Sequence, residues 1–431
     1  MAGINIGNGH IWDGEGHILT CAPTRSGKGF YIINAALTDD KLRDRNAPSF
    51  VVLDPKGENI RISGAYLRSA GYKVHCINPY DIRDLEEFGQ ARFNPLENLD
   101  PLDDDIDEIL DTIAYSLIPL SEHKNKFFDE AGRDLLLNYL RHLITQTEDP
   151  ITFRTLYFYS LATGDELEKL LRKMVANKSF DGVIARYALS VAGQKGTDTW
   201  GSIARTAQTA MTMFGRKRLS QSLSGSDFDL TGLSEQKVAI FLCMPTKAIK
   251  KNAPWLRIFF GTMLRELMES YYHKRRVIVL LDEFVRLGYL SEAEDFFTIG
   301  AQYATIWAVV QDLKSLSHIY EAWESIVANC QVKHWFANDD NMTRKYVSER
   351  MPITTVFIGN NSDGSPRYIE KPLLRPDEVG GFDDIILEVR GMGKPARLAK
   401  TPYLKQNKNG RDLRQPNLTK KVFGLGLTRG S

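Results

Sequence analysis

Apolar positions along this chain follow two rhythms. Ser49 to Asp54 (SFVVLD) is a near-continuous apolar run, the mark of a strand buried on both faces, and Lys73 to Ile77 (KVHCI) is a second. His17 to Cys21 is a shorter strand candidate, a helix is expected from Lys28 to about Leu37 after a tight turn, and Ile62 to Ser69 is helix-like. Strand, helix, strand at this spacing predicts a parallel sheet. From Asn98 to Phe214 the period turns helical, with segments at Ile106 to Leu117, Glu130 to Ile144, Asp165 to Ala176 and Gly201 to Phe214. Strand-like runs return at Lys237 to Cys243, Val277 to Leu281, Thr305 to Val310, Gln331 to Phe336 and Ile385 to Val389, with a helix expected over Pro254 to Tyr272. Gly359 to Arg367 (GNNSDGSPR) reads as a mobile, turn-rich loop. The expected fold class is therefore α/β, with a mostly parallel central sheet begun in residues 1–97, interrupted by an all-α domain at 98–214, and completed in 215–431.

Composition narrows the setting. A chain of 431 residues, 43% hydrophobic and 25% charged, has room for one large α/β domain plus a smaller one, and disorder along its whole length is excluded. Cys21, Cys76, Cys243 and Cys330 are far apart without paired spacing, and three lie in β-like runs. Buried thiols in a reducing compartment are expected rather than disulfides or zinc ligands. No apolar run approaches the ~18–20 residues of a membrane span and no signal peptide opens the chain, so a soluble, cytoplasmic protein is expected. Domain sequence begins directly after Met1-Ala2-Gly3, as it would if a membrane anchor had once preceded it. The formal net charge of +1 hides a basic tail: Arg390 to Ser431 carries eleven Lys or Arg against Asp412 alone. A solvated, disordered end is the plain reading of that tail, and contact with nucleic acid or an anionic membrane is the functional one. Glu97 to Asp111 has the opposite bias, with eight acids and no base.

The sharpest chemical signal is Ala22-Pro23-Thr24-Arg25-Ser26-Gly27-Lys28-Gly29, after a strand and opening a helix. In a phosphate-binding loop, consecutive backbone N–H groups wrap a phosphate, the helix N-terminus adds positive character, and a lysine reaches the β and γ oxygens. Thr24, Arg25, Ser26, Gly27, Lys28, Gly29 and Phe30 form the candidate phosphate cradle. Two positions depart from the pattern: Ala22 replaces the first glycine, and Gly29 replaces the Ser or Thr that ligates Mg²⁺. A second signal, Val277-Ile278-Val279-Leu280-Leu281-Asp282-Glu283, is an apolar strand ending in adjacent carboxylates. The first acid of such a pair holds Mg²⁺ through water and the second polarises the attacking water. With Gly29 lacking a hydroxyl, Asp282 should bear more of the metal's orientation. Gln311 ends the following strand, where a glutamine senses the γ-phosphate or positions water. Asp54-Pro55-Lys56-Gly57-Glu58 ends the second strand, so Asp54, Lys56 and Glu58 should lie near the nucleotide. The implied cofactors are ATP and Mg²⁺, with Glu283, Lys28 and Gln311 as catalytic groups.

Taken in order, APTRSGKG at Ala22, VVLDPKGEN at Val51, FNPL at Phe93, LLDEFVRLG at Leu280, VVQDLKSL at Val309 and KPLLRPDEV at Lys371 resemble the coupling-protein ATPases of type IV secretion and bacterial conjugation, the TraG-like family. The resemblance implies a RecA-like P-loop nucleotide-binding domain interrupted by an all-α domain that recognises substrate. It implies a homo-oligomeric ring, a hexamer, at the cytoplasmic face of the bacterial inner membrane, held by an anchor absent from this chain. Its partners would be the secretion channel, other secretion ATPases and a relaxase–DNA complex or effector protein, with single-stranded DNA a further ligand. Glycine after the loop lysine looks like a feature of the family. Ring motors complete each site with an arginine from the neighbouring subunit, yet no arginine lies between Leu287 and Thr343. Arg286, Arg344 and Arg350 are the substitutes to examine. Two other readings compete: a nucleotide-gated recruitment platform with little hydrolysis, and a double-stranded DNA translocase resembling FtsK or HerA.

Overall fold

The computed structural model describes residues 3–119, 126–269 and 274–406. Two short strands, β1 (Ile4–Asn5) and β2 (Ile11–Trp12), pair with each other ahead of the main sheet. The sheet itself contains β3 (His17–Cys21), β4 (Ser49–Asp54), β5 (Lys73–Ile77), β6 (Val238–Cys243), β7 (Val277–Leu281), β8 (Thr305–Val310) and β9 (Cys330–Trp335). A separate hairpin, β10 (Ile353–Asn360) with β11 (Pro366–Pro372), precedes the last two sheet strands, β12 (Ile385–Val389) and β13 (Ala396–Leu398).

Strand order is β13-β12-β9-β3-β8-β7-β4-β6-β5. All pairings from β9 to β5 are parallel, and only β12 and β13 run antiparallel to their neighbours at one edge. The fold is thus the expected α/β class with a mostly parallel sheet.

Every residue of β4, β6, β7 and β8 is buried, as the unbroken apolar runs require when both faces are covered. Successive side chains feed two different cores. Val51, Leu53, Ile240, Leu242, Val279 and Leu281 face one side. Phe50, Val52, Ala239, Phe241, Ile278 and Leu280 face the other, where Ile32, Ile33, Ala36 and Leu37 of the helix after the phosphate loop also pack.

Between β5 and β6 the described residues form helices, including Ile106–Leu117, Lys126–Thr145, Gly164–Ala176 and Asp198–Met211. Their apolar faces join the first of the two cores through the helix Ala253–Glu269, itself lined by Leu256, Phe259, Phe260 and Met263.

The expected loop at Gly359 to Arg367 is shorter than read: Gly359 already pairs with Arg367 and Asn360 with Pro366, so the turn proper is confined to residues 361–365. All four cysteines are buried and free; Cys76 and Cys243, brought together on neighbouring strands, have sulfurs 3.9 Å apart. Among the described residues no helix is long and apolar enough to cross a membrane. The basic tail beyond residue 406, and the end of the helix expected to reach Tyr272, lie outside the described residues.

Candidate active site

Parallel strands deliver their carboxyl ends to one edge of the sheet, and the order β3-β8-β7-β4 puts four sequence signals side by side there. The phosphate loop leaves β3, Gln311 leaves β8, Asp282 and Glu283 leave β7, and Asp54 ends β4. One strand, β8, separates the loop from the acids, and its terminal glutamine lies between them.

The loop has the backbone its glycine dictates. Gly27 has φ +89, and a Cβ there would meet the Tyr31 ring at 2.4 Å. Residue 27 therefore has to be glycine for both conformation and space. Arg25 also takes the left-handed region, at φ +66. The carbonyl of Gly27 accepts from the N–H groups of Phe30 and Tyr31, both at 2.9 Å, which starts the helix. That helix departs from the expected α form: Gly29–Ile33 is a π turn, closed by the Asn34 N–H donating to the Gly29 carbonyl, and α geometry begins only at Asn34. Ser26 is half-buried and its Oγ has no hydrogen-bond partner. Thr24 and Arg25 are exposed at the loop tip, and the Phe30 ring stands edge-on to Tyr31 and Tyr403.

Lys28 reaches across to the acids. Its Nζ lies 2.8 Å from Asp282 Oδ1 and 3.8 Å from Glu283 Oε1. Glu283 itself sits at φ +67, an uncommon conformation for a residue with a side chain. Its Oε2 accepts from Gln311 Nε2 at 3.2 Å and from Arg286 Nε at 2.8 Å. Gln311 is steadied in turn by Asn338, whose Nδ2 donates to its carbonyl at 2.8 Å.

Asp54 is buried and caps the helix Glu58–Ser69, accepting from the N–H groups of Glu58 at 3.1 Å and Ile60 at 3.0 Å. Burial pushes its carboxyl up to about 7; the charges of Asp282 and Glu58 add to this, while the two N–H groups oppose it. Glu58 is raised too, chiefly by burial, with Lys56 and Arg61 opposing and Asp282 adding. Lys56 is exposed and acts on Glu58 through its charge.

Three carboxyl groups thus influence one another beside the Lys28 ammonium, an electrostatic setting that favours a bound cation. Among the described residues no three carboxylate, histidine or cysteine side chains stand close enough to hold a metal unaided. That donor set fits Mg²⁺, which takes one or two carboxylates and fills its shell with water and substrate phosphates. The unpartnered Ser26 hydroxyl and the bare Gly27 fit a phosphate at the loop.

Sequence reasoning missed Arg286 on Glu283, although an i, i+3 spacing on a helical turn was the available signal. It also missed Asn338, which no local pattern marks. Arg344 and Arg350, the other arginines singled out, bond within this chain. Arg344 bonds to the Asn338 carbonyl and Asp339, and Arg350 to Glu388.

VirD4 of Agrobacterium fabrum is 25% identical over 419 residues, covering 90% of this chain and 58% of that protein. A conjugal transfer protein TraG of Escherichia coli is 23% identical, covering 85% of this chain and 62% of that protein. The chain therefore spans about three fifths of the length of these relatives. Among solved structures, the bacterial conjugative coupling protein TrwBdeltaN70 superposes with a TM-score of 0.67 at 16% identity, over 89% of this chain and 84% of that one. The plasmid coupling protein TrwB in complex with ADP and Mg²⁺ gives 0.66, also at 16% identity, over 90% and 85%. At that identity the likeness shows a shared fold. The family model for type IV secretory system conjugative DNA transfer matches residues 2–424, and the chain belongs to that family.

Proposed function

We propose that this chain is the nucleotide-hydrolysing part of a type IV coupling protein, which recruits a relaxase–DNA complex or effector proteins and delivers them to the secretion channel. The observation that carries the reading is the convergence of Lys28, Asp282, Glu283 and Gln311 at adjacent strand ends. On this reading Mg²⁺ neutralises charge on the β and γ phosphates. The loop from Thr24 to Phe30, through those of its N–H groups not already bonded within it, and the Ser26 hydroxyl hold the phosphates, and Lys28 leaves Asp282 for the γ oxygens. Asp282, released from Lys28, would hold a bound Mg²⁺ through water. Glu283 takes a proton from the attacking water, while Gln311, hydrogen-bonded to it, holds that water in line. Asp54 shapes the strand end and Glu58 adds negative potential, with Lys56 at the rim.

The same reading assigns residues 98–214 to a substrate-recognising all-α domain and places the protein as a homo-oligomeric ring at the cytoplasmic face of the inner membrane. Membership of a conjugative DNA transfer family supports the delivery role from which both assignments follow. The TrwB structures with nucleotide, of which one holds ADP and Mg²⁺, support the nucleotide site.

The test is steady-state ATP hydrolysis across a protein concentration series, with and without single-stranded DNA. Turnover that rises more than linearly with protein and responds to DNA supports a ring motor acting on nucleic acid. Tight ATP binding with negligible turnover under every condition would overturn the motor reading and leave a nucleotide-gated platform.

A further inference from the structure

The residue after the loop lysine is ordinarily Ser or Thr, whose hydroxyl meets Mg²⁺. Here it is Gly29, and the space a side chain would occupy has a distinctive neighbour. Apart from its chain neighbours and the helix's own backbone, a Cβ built on Gly29 would find one heavy atom within 4 Å, the amide nitrogen Asn34 Nδ2 at 3.7 Å. The π turn explains the approach. By joining the Asn34 N–H to the Gly29 carbonyl, it stacks residue 34 behind residue 29, and helical side chains lean toward the N-terminus. Single π turns inside helices are rare and recur at functional sites.

Asn34 is out of place as a packing residue. It is only 1% exposed, in the run Phe30-Tyr31-Ile32-Ile33-Asn34-Ala35-Ala36-Leu37, and its Oδ1 has no hydrogen-bond partner. A buried polar atom left unpaired costs free energy and calls for an explanation. The carboxamide that carries this unmet acceptor borders the position where the loop pattern places a metal-directed hydroxyl, with Nδ2 on the near side.

We propose that the Asn34 carboxamide performs the task of the missing hydroxyl: a half-turn about χ2, which exchanges Nδ2 and Oδ1 at the vacant position, lets Oδ1 accept from a water in the Mg²⁺ shell of the bound nucleotide. The inference rests on the reading of this site as a Mg²⁺–nucleotide site. Gly29 and Asn34 act as a pair: the glycine leaves the space and the asparagine reaches into it from one turn below.

The experiment is equilibrium ATP binding, in EDTA and in Mg²⁺, for the wild type, Asn34→Ala, Asn34→Leu and the double variant Gly29→Ser/Asn34→Ala, with melting curves for each. Both single variants are expected to match wild-type affinity in EDTA within about twofold and to lose about tenfold of the Mg²⁺-dependent gain, in line with the loss of a metal's supporting partner. Gly29→Ser in the Asn34→Ala background should restore most of that gain, because serine returns a hydroxyl to the vacant position. An undiminished Mg²⁺ gain in Asn34→Ala would overturn the proposal while leaving the site assignment standing. Equal losses in EDTA and Mg²⁺ would also overturn it, marking Asn34 as a structural position. A wild type that gains nothing from Mg²⁺ would overturn this proposal and the site reading together.

Discussion

Glu283→Gln removes one negative charge from the site and almost nothing else. In the free protein Oε2 accepts from both Arg286 and Gln311, at 2.8 and 3.2 Å, whereas Oε1 faces only Lys28, at 3.8 Å. A glutamine can put its oxygen on the Oε2 side and keep both hydrogen bonds. Its NH₂ then turns toward Lys28, whose firmer partner is Asp282 at 2.8 Å. The substitution should therefore change folding stability by about 1 kcal/mol or less, the scale of one ordinary hydrogen bond. ATP affinity should stay within a few-fold of wild type, since neither Lys28 nor the loop backbone is altered. Catalysis is another matter, because an amide cannot accept the proton of the attacking water. Loss of a positioned general base costs roughly 10²–10⁴-fold in rate, equivalent to about 3–5 kcal/mol in the barrier. Single-turnover hydrolysis measured beside equilibrium ATP binding separates the two effects. A variant that hydrolyses at the wild-type rate would refute the assignment of Glu283 as base, and one that no longer binds ATP would show the residue to be structural.

Three further outcomes are expected. Gly27→Ala should lower the melting temperature and abolish ATP binding. It forces a Cβ to 2.4 Å from the Tyr31 ring at φ +89, where the backbone strain alone is about 1–2 kcal/mol; unimpaired ATP binding would contradict the phosphate-cradle assignment. Arg286→Ala should cost about 1 kcal/mol or less in stability, because the arginine side chain is 41% exposed and solvent screens the pair. It should reduce kcat several-fold by freeing the Glu283 carboxylate to wander, with ATP affinity unchanged; an unaltered kcat would show that Arg286 does not position Glu283. Asp54→Asn tests the buried carboxyl through pH. Because the folded pKa, about 7, lies above the ordinary carboxyl value of 3.8, the native state holds this proton more tightly than the unfolded chain. The associated stability is fully present below about 4 and is lost as pH rises through 7. Asparagine cannot titrate, so the stability of Asp54→Asn relative to wild type should climb between pH 4 and 7 in nucleotide-free denaturant titrations; a constant difference would contradict the raised pKa.

Much of this architecture was legible because the central strands obey one rule. A strand buried on both faces must be apolar throughout, and SFVVLD, VIVLL and TIWAVV could be read almost to the residue. Edge structure carries no such constraint. β13 is three residues long with two of them exposed, and β10 and β11 expose Phe357, Tyr368 and Ile369, so neither shows a core-facing period. Charged residues ending strands could be placed at the site because parallel strands share a carboxyl edge. Which of them touch could not be read: Lys28 and Asp282 meet only through strand order, which is a long-range property. The π turn was equally hidden, since Gly-Phe-Tyr-Ile-Ile fits an α period as well as a π one. The single local hint was a polar Asn34 on an otherwise apolar helix face.

The long helical stretch has a topological meaning that its size obscures. β5 and β6 are neighbours in the sheet and run parallel, with Cys76 opposite Phe241. Residues 78–237 are thus one crossover connection, the task that a dozen residues perform in a minimal β-helix-β unit. Parallel pairing fixes where that connection must leave and return but places no demand on its length. The entropy of closing a longer loop grows by only about 0.6 kcal/mol for each doubling. The strand ends that gather Lys28, Asp282, Glu283 and Gln311 lie on the other side of β4 from this junction. Descendants of this fold can therefore lengthen, trim or exchange the helical segment without moving the register of the strands that carry the candidate site, which leaves the two free to diverge at different rates.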